Sequence, residues 1–389
     1  MWIEPFYRAV EKLMSVKTHR DYVLCLSGAR VINKRMAMLI EGVRENGMNV
    51  RILALPRGPW VLDKSENPTV ASAIGRFSVD IGGEMNALKA VMCFHWIVLP
   101  IAVLIGLLRR VPVLYDEHDH YEMNSLEGTG SALKRTVCSL LVRMIHRIFL
   151  PWVTLVTCIH QHQQFLKRHL EKWQSSVLEI HNYPATVWRE AGRNRNPSGK
   201  LCFVYIGGVY REKGVAVAAE ALQLLPPASR AQAEYHVFGE GDFELIENLR
   251  TTPGVVVHNG VTPRQFQEFA ATRNCCGLAL LANTPRYNLV GTNCTKLFEY
   301  LALGLPVIAT RVGEFPQIVG GHQVGLLIDG ELRPQELATQ MSSMIDDEEG
   351  FACFSRNALR LMSRDEMTWE HEWSRIGATG LFDGLRKAG

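Results

Sequence analysis

Short apolar runs alternate along the chain with stretches whose apolar positions recur at helical spacing. The runs fall near residues 22–26, 49–55, 112–116, 153–158 and 176–180, and again near 201–206, 234–238, 255–258, 277–281, 306–309 and 324–328. Each predicts a buried strand. Between the first two, Met36, Leu39, Ile40 and Val43 mark one face of a helix that Gly47 ends. Buried strands separated by helices predict parallel sheets with crossover connections, an α/β architecture. The alternation breaks over 181–200, where Asn182, Pro184 and the polar run from Gly192 to Gly199 intervene. A chain of 389 residues exceeds one ordinary core. The break therefore predicts two domains, 1–183 and 184–368.

Two segments carry more apolar surface than a simple crossover needs. Ala90 to Leu108 has His95 as its one clearly polar side chain and is about long enough to span a bilayer. Pro100 interrupts it, and Val111 to Tyr115 reads as a strand of the same sheet as 22–26. A buried core helix is therefore expected, with a membrane-touching helix as the alternative. Ser131 to Leu150 predicts an amphipathic helix. Lys134, Arg135, Arg143, His146 and Arg147 supply cations, and Val137, Leu140, Leu141, Met144, Ile145 and Ile148 supply an apolar side. Trp152 follows shortly after. The apolar side either packs on the sheet or meets an anionic membrane surface, with Lys134, Arg135, Arg143, Arg147 and Trp152 at the interface.

Composition narrows the class. Apolar content of 47% and charged content of 21% are those of a globular protein. The net charge of +3 is too small to argue for a nucleic-acid partner. The charge is uneven: residues 1–185 hold roughly 22 basic and roughly 16 acidic groups, the remainder roughly 20 and roughly 23. The nine cysteines include no Cys-x-x-Cys pair. They are expected to be reduced thiols in a cytosol, and not a disulfide framework or a zinc site. The first residues, Met-Trp-Ile-Glu-Pro, lack the basic-then-apolar order of a signal peptide. The expectation is a cytoplasmic protein, peripheral at the inner face of the cell membrane.

In doubly wound sheets ligands bind beyond the carboxyl ends of the strands, and the chemistry-bearing residues cluster there. Gly28 follows the first strand, with Arg30 close behind. Gly207 and Gly208 open the loop after the first strand of the second half, and Arg211 and Lys213 precede the next helix. Glycine admits a phosphate to the backbone, and a lysine at a helix start holds its charge. Gly239 and Gly241 follow another strand, and His258 to Val261 another. Tyr115 to Glu122 packs His118 and His120 among four carboxylates, and no third metal ligand is convincingly placed. Lys296 and Glu299, three apart, share one helix face. The helix start attracts phosphates, and the carboxylate can accept hydrogen bonds from a ribose diol.

Four of these blocks together resemble the family-4-type glycosyltransferases of the GT-B fold. They are Gly-Gly-x4-Lys-Gly at 207–214, Gly239-x-Gly241, the Tyr-Asp-x-His run at 115–118, and Lys-x-x-Glu-Tyr-x3-Gly-x-Pro-Val-Ile-Ala at 296–309. The resemblance implies two Rossmann-like doubly wound domains facing across a cleft. Trp369 matches the place where the last helix crosses back, so about 369–389 would complete the first domain. It also implies a retaining transfer from a nucleotide diphosphate sugar (UDP- or GDP-linked), without a metal or other cofactor. The acceptor would be a glycan, lipid-linked, in envelope or extracellular polysaccharide synthesis. By position, Glu299 would hold the ribose, Lys213 the diphosphate, and the backbone near Val261 the base. Gly28 and the amides at Gly291 and Thr292 would approach the donor, and His118 the transferred sugar.

Two positions depart from the pattern. Many members carry an arginine where Gly208 stands, a role Arg211 can take, and many carry a glutamate where Gly291 stands. These departures keep a non-catalytic binding partner in play, and a nucleotide-sugar epimerase would share the fold. An inverting reaction would need a base, for which Asp116, Glu117 and Asp119 are the candidates.

Overall fold

A computed structural model describes residues 21–28, 34–54, 88–122 and 131–382. Arg30 lies outside them. The described chain separates into two compact units. One contains the described residues up to His160, with Gln164–Ile180 and the segment from Trp373; the other contains Gln161–Gln163 and His181–Glu372.

The first unit runs β1 (Tyr22–Ser27), α1 (Lys34–Glu45), β2 (Asn49–Ala54), β3 (Leu88–Cys93), α2 (Leu99–Arg109), β4 (Val113–Glu117), α3 (Ala132–Phe149), β5 (Leu155–Ile159), α4 (Phe165–Leu170) and β6 (Val177–Ile180). Its six strands form one sheet in the order β2-β1-β3-β4-β5-β6, all neighbours parallel. Every residue of β1, β4 and β5 is buried, as a strand covered by helices on both faces requires. Strand order reverses between β1 and β3, which makes their carboxyl ends the switch point. The last helix adds Trp373 to this unit: a Cβ on Gly42 of α1 would lie 2.5 Å from the Trp373 ring.

The apolar segment 90–108 is not one buried helix. Its first part is the strand β3, and only Leu99–Arg109 is α-helical. The sequence hides the junction because apolar residues serve both a buried strand and a core helix. His95 breaks the run by capping a short 3-10 turn, where its Nδ1 accepts the Ile97 N–H at 3.3 Å. Among the described residues no helix is long and apolar enough to cross a membrane. Leu104, Leu107 and Leu108 are exposed.

The second unit runs α5 (Thr186–Arg193), β7 (Ser198–Ile206), α6 (Val215–Leu224), α7 (Pro227–Ala231), β8 (Ala233–Phe238), α8 (Phe243–Arg250), β9 (Val255–His258), α9 (Pro263–Thr272) and β10 (Arg273–Ala279). It continues with α10 (Thr295–Ala302), β11 (Val307–Thr310), β12 (Gly325–Ile328), α11 (Pro334–Asp346) and α12 (Glu348–Met362), and ends in the first turn of α13 (Trp369–Gly377). The sheet order is β12-β11-β10-β7-β8-β9, again parallel, with the reversal between β7 and β10. One face packs Cys202, Phe238, Phe266 and Tyr300, and the other Phe203, Tyr235, Val215 and Met341. At the switch point α10 sits directly on the sheet. A Cβ on Gly277 of β10 would lie 2.3 Å from the Tyr300 ring, and the Tyr300 hydroxyl accepts the Ile206 N–H at 2.8 Å.

Candidate functional site

In the second unit the loops after β7 and β8 lie against each other. The Gly207 N–H donates to Phe238 O at 3.0 Å, and the Val209 N–H to Glu240 O at 2.9 Å. A Cβ on Gly239 would lie 1.9 Å from Gly207 O, which explains the glycine there. Gly207 itself has φ +124, open to glycine and little else. Its amide is therefore committed to the neighbouring loop and is not a free phosphate donor. What Gly207 supplies is room, since a Cβ there would come 3.7 Å from Nζ of Lys296. At Gly208 the Tyr210 ring occupies the space where a side chain would begin.

Two lysines meet at this crevice. Lys213 ends the turn Arg211–Lys213, and Gly214, at φ 67, starts α6. Its Nζ lies 4.4 Å from the centre of the Tyr287 ring, and Nζ of Lys296 lies 3.9 Å from that of Tyr205. Tyr205 is fixed in turn by donating its hydroxyl to Gly208 O at 2.5 Å. Burial pushes the Lys296 ammonium down to about 7; the Cys294 thiol opposes the shift, and the charge of Lys213 adds to it. Two lysines placed on aromatic faces, one of them strongly desolvated, suit a ligand that brings negative charge. Glu299, one turn along α10, is 5% exposed. Arg211 is exposed beside Lys213, and Val261 is partly exposed in the loop after β9.

The amide of Gly291 donates to Asn293 Oδ1 at 2.9 Å, and the Thr292 hydroxyl lies 2.5 Å from His181 Nδ1. The Gly291 amide is thus engaged within its own turn, not held open for a phosphate.

The first unit gathers a second polar cluster at its own switch point. A Cβ on Gly28 would lie 2.6 Å from the ring of His95, which follows β3. The His95 ring lies against Tyr121, centres 4.6 Å apart and planes tilted by 49°, and the Tyr121 hydroxyl lies 2.8 Å from His118 Nε2 and donates to Phe94 O at 3.2 Å. Burial lowers both histidines: His95 falls to about 3, with the neighbouring His118 adding to the effect. His118 is also lowered, against the opposing pull of Asp116 and Asp119. Neutral imidazoles here donate and accept hydrogen bonds without carrying charge.

Two of the three candidate bases are committed elsewhere. Asp116 is fully buried, forked by Arg35 Nε at 3.0 Å and Nη2 at 2.8 Å, and it accepts the Thr157 hydroxyl at 2.8 Å. Glu117 is buried against the Tyr115 hydroxyl and His146, and desolvation raises its carboxyl well above the usual range. Asp119 is partly exposed. His160 lies 3.0 Å from the buried Glu179. Sequence reading missed Arg35, Tyr121 and the site role of His95, because each is defined by a partner distant in the chain.

The α3 helix leaves most of its apolar side exposed, while Ile145 is partly buried against the core. Ser139, Val142 and His146 face inward, while Leu133, Val137, Leu140, Leu141, Met144 and Ile148 are exposed, Leu133 at 74%. Trp152 just beyond is 61% exposed. Lys134, Arg143 and Arg147 are exposed on the same helix and Arg135 partly so; Arg143 also pairs with Glu122. Helix α2 packs beside α3 and adds its exposed leucines.

Residues 187–360 match the family described as Glycosyl transferases group 1. Sulfoquinovosyl transferase SQD2 of Arabidopsis thaliana is 22% identical over 351 residues, covering 86% of this chain and 63% of that protein. The chain thus spans less than two thirds of that relative's length. Among solved structures, Anabaena Alr3699/HepE in complex with UDP-glucose superposes with a TM-score of 0.64 at 14% identity, over 94% of this chain and 100% of that one. WaaG, a glycosyltransferase involved in lipopolysaccharide biosynthesis, gives 0.58 at 14% identity, over 93% and 100%. The chain has the GT-B fold, and the match to the group 1 glycosyltransferase family lies within its second unit.

The lowered pKa of Lys296 has a measurable sign. An anion between the two lysines restores the Lys296 proton, so binding above pH 7 takes up protons and weakens as pH rises. Titrating UDP or GDP, whose phosphates are fully ionised at about pH 8.5, in buffers of different ionisation enthalpy is expected to show uptake approaching one proton. Lys296→Arg, always charged, is expected to abolish the uptake. Uptake near zero in the unaltered chain would remove Lys296 from the anion site.

Proposed function

We propose that the protein transfers a sugar from a nucleotide diphosphate donor to a glycan acceptor. The observation that carries this reading is the Lys213–Lys296 pair on the Tyr287 and Tyr205 rings, with Glu299 on the same helix as Lys296. Breaking the sugar–phosphate bond leaves negative charge on the diphosphate. The two ammonium groups meet that charge in place of a divalent ion at the phosphates, and strengthen as it develops. Glu299 accepts the ribose hydroxyls, and the chain near Val261 meets the base. His118 contacts the transferred sugar. HepE, solved with UDP-glucose, supports a nucleotide sugar as the donor class.

The commitment of Asp116 to Arg35 and of Glu117 to Tyr115 supports retention. With those two carboxylates withdrawn and Asp119 left as the remaining candidate base, the departing diphosphate takes the acceptor proton and attack comes from the same face as departure. Lys213→Ala is expected to lower turnover at saturating donor more than it weakens nucleoside monophosphate binding. The assay follows release of nucleoside diphosphate from UDP- and GDP-sugars with and without glycan acceptors. Acceptor-dependent release is the expected result. Unchanged turnover in the variant removes Lys213 from the reaction, and donor conversion without acceptor points to an epimerase.

The acceptor is lipid-linked, and the protein works at an anionic membrane surface. The support is the exposed apolar row of α3, rimmed by Lys134, Arg135, Arg143 and Arg147 and ended by Trp152. Each basic side chain near anionic lipid contributes about 1 kcal/mol. The protein is expected to co-sediment with phosphatidylserine-containing vesicles at low salt. Replacing the four basic residues with serine is expected to release it. Indifference of the unaltered protein to such vesicles would leave a soluble acceptor as the better reading.

A further inference from the structure

On the sheet face that packs against α9, three kinds of metal-binding side chain converge away from the lysine pair. Cys202 of β7 and Glu234 of β8 are register partners, and His236 lies two residues beyond Glu234, so all three leave the same face. One ligand atom from each, a sulfur, a carboxylate oxygen and a ring nitrogen, lies within 4.8 Å of the others. Cys202 and His236 are buried and Glu234 is partly buried. His236 Nδ1 is 3.0 Å from Nε2 of His258, and His236 Nε2 is 3.1 Å from Glu234 Oε2. A neutral ring whose Nδ1–H donates to His258 turns the Nε2 lone pair toward the carboxylate. In that tautomer the Nε2 lone pair and the carboxylate oxygen are two ligand atoms directed at one point.

We propose that Cys202, Glu234 and His236 form a zinc-binding site, with water in the fourth position and His258 orienting His236. Sulfur, nitrogen and oxygen ligands in a three-residue set suit this borderline-soft ion. Bonds of about 2.0–2.3 Å put neighbouring ligand atoms roughly 3.3–3.7 Å apart around a tetrahedron, within reach of the observed spacing. Zinc takes the thiolate form of cysteine, so binding at Cys202 releases the thiol proton. The cations near the cluster are Arg273 and Lys200, the latter 3.8 Å from Glu234 and 55% exposed. Lys200 can turn to solvent, and the metal displaces the thiol proton while His236 keeps its one ring proton on Nδ1, toward His258. The site would tie β7 to β8 across the sheet face, and it takes no part in the sugar chemistry.

The full chain, reduced and stripped with a chelator, is titrated with Co2+ as a spectroscopic probe, then with Zn2+ in competition, without nucleotide. A thiolate-to-cobalt charge-transfer band that saturates at one equivalent and is displaced by zinc is expected. Cys202→Ser removes the band, and Cys353→Ser leaves it unchanged. His258→Gln lowers zinc affinity about 10- to 100-fold while preserving the band. Should Cys202→Ser fail to fold, Glu234→Gln, at the partly exposed position, is expected to weaken zinc at least about tenfold with an unchanged circular dichroism spectrum. No charge-transfer band, a band that survives Cys202→Ser, or a Glu234→Gln variant of unaltered affinity would overturn the proposal.

Discussion

The Tyr300 hydroxyl accepts the N–H of Ile206, and the arrangement of the second unit's site depends on that contact. Ile206 is the last residue of β7, and Gly207 begins the loop that follows. The Tyr300 ring lies on Gly277 of the neighbouring strand, so α10 rests on the sheet where the strand order reverses. Its first turn then carries Lys296 to the side of Gly207, over the Tyr205 ring. Losing the hydroxyl would leave a buried amide without its partner, a cost of about 1–3 kcal/mol. A side chain on Gly277 would push the helix away. Position and charge are therefore coupled: the helix packing that anchors α10 also desolvates the lysine it presents.

The two units solve different electrostatic problems. In the second, cations are held close together on aromatic rings, with burial lowering one of them, which favours a ligand that brings negative charge. In the first, the switch point is nearly charge-neutral. His95 and His118 are held toward their neutral forms, Glu117 toward its protonated form, and Asp116 is matched by Arg35. A buried ion pair of this kind is weak support for stability, but removing either partner costs about 3–5 kcal/mol, because the other is left buried and uncompensated. Such a surface suits hydroxyl-rich ligands, which need donors and acceptors more than charge.

Much of the fold was legible because buried parallel strands write themselves as short apolar runs. The strand that escaped, β3, merges into the apolar start of α2, and one histidine is too faint a boundary. Strands β7 and β10 begin earlier than their apolar cores because their first residues, such as Ser198 and Arg273, are polar and exposed. Within the site, Lys296 and Glu299 were legible from their spacing on one helix, and Lys213 from its place before α6. The use of the Gly207 amide was not, because its acceptor, Phe238 O, sits on another strand. Likewise Asp116 reads as an available base until Arg35, 81 residues away, is seen to hold it. The amphipathic pattern of α3 was plain, but periodicity cannot say which side faces the sheet. The structure buries Ser139, Val142 and His146 there, with Ile145 and Phe149 partly buried against the core.

The central claim is that α10 and the β7 loop together hold a nucleoside diphosphate, with ribose on Glu299 and phosphates on the lysines. Calorimetric titration of UDP and GDP into the unaltered chain and into a folded Glu299→Ala variant tests it most directly. Loss of a charge-assisted hydrogen-bond acceptor of about 1.5–3 kcal/mol would raise the dissociation constant of the preferred nucleotide about 10- to 150-fold. Inorganic diphosphate, which has no ribose, would bind both proteins alike. An unchanged dissociation constant for both nucleotides, or no binding of either by the unaltered chain, would contradict the account.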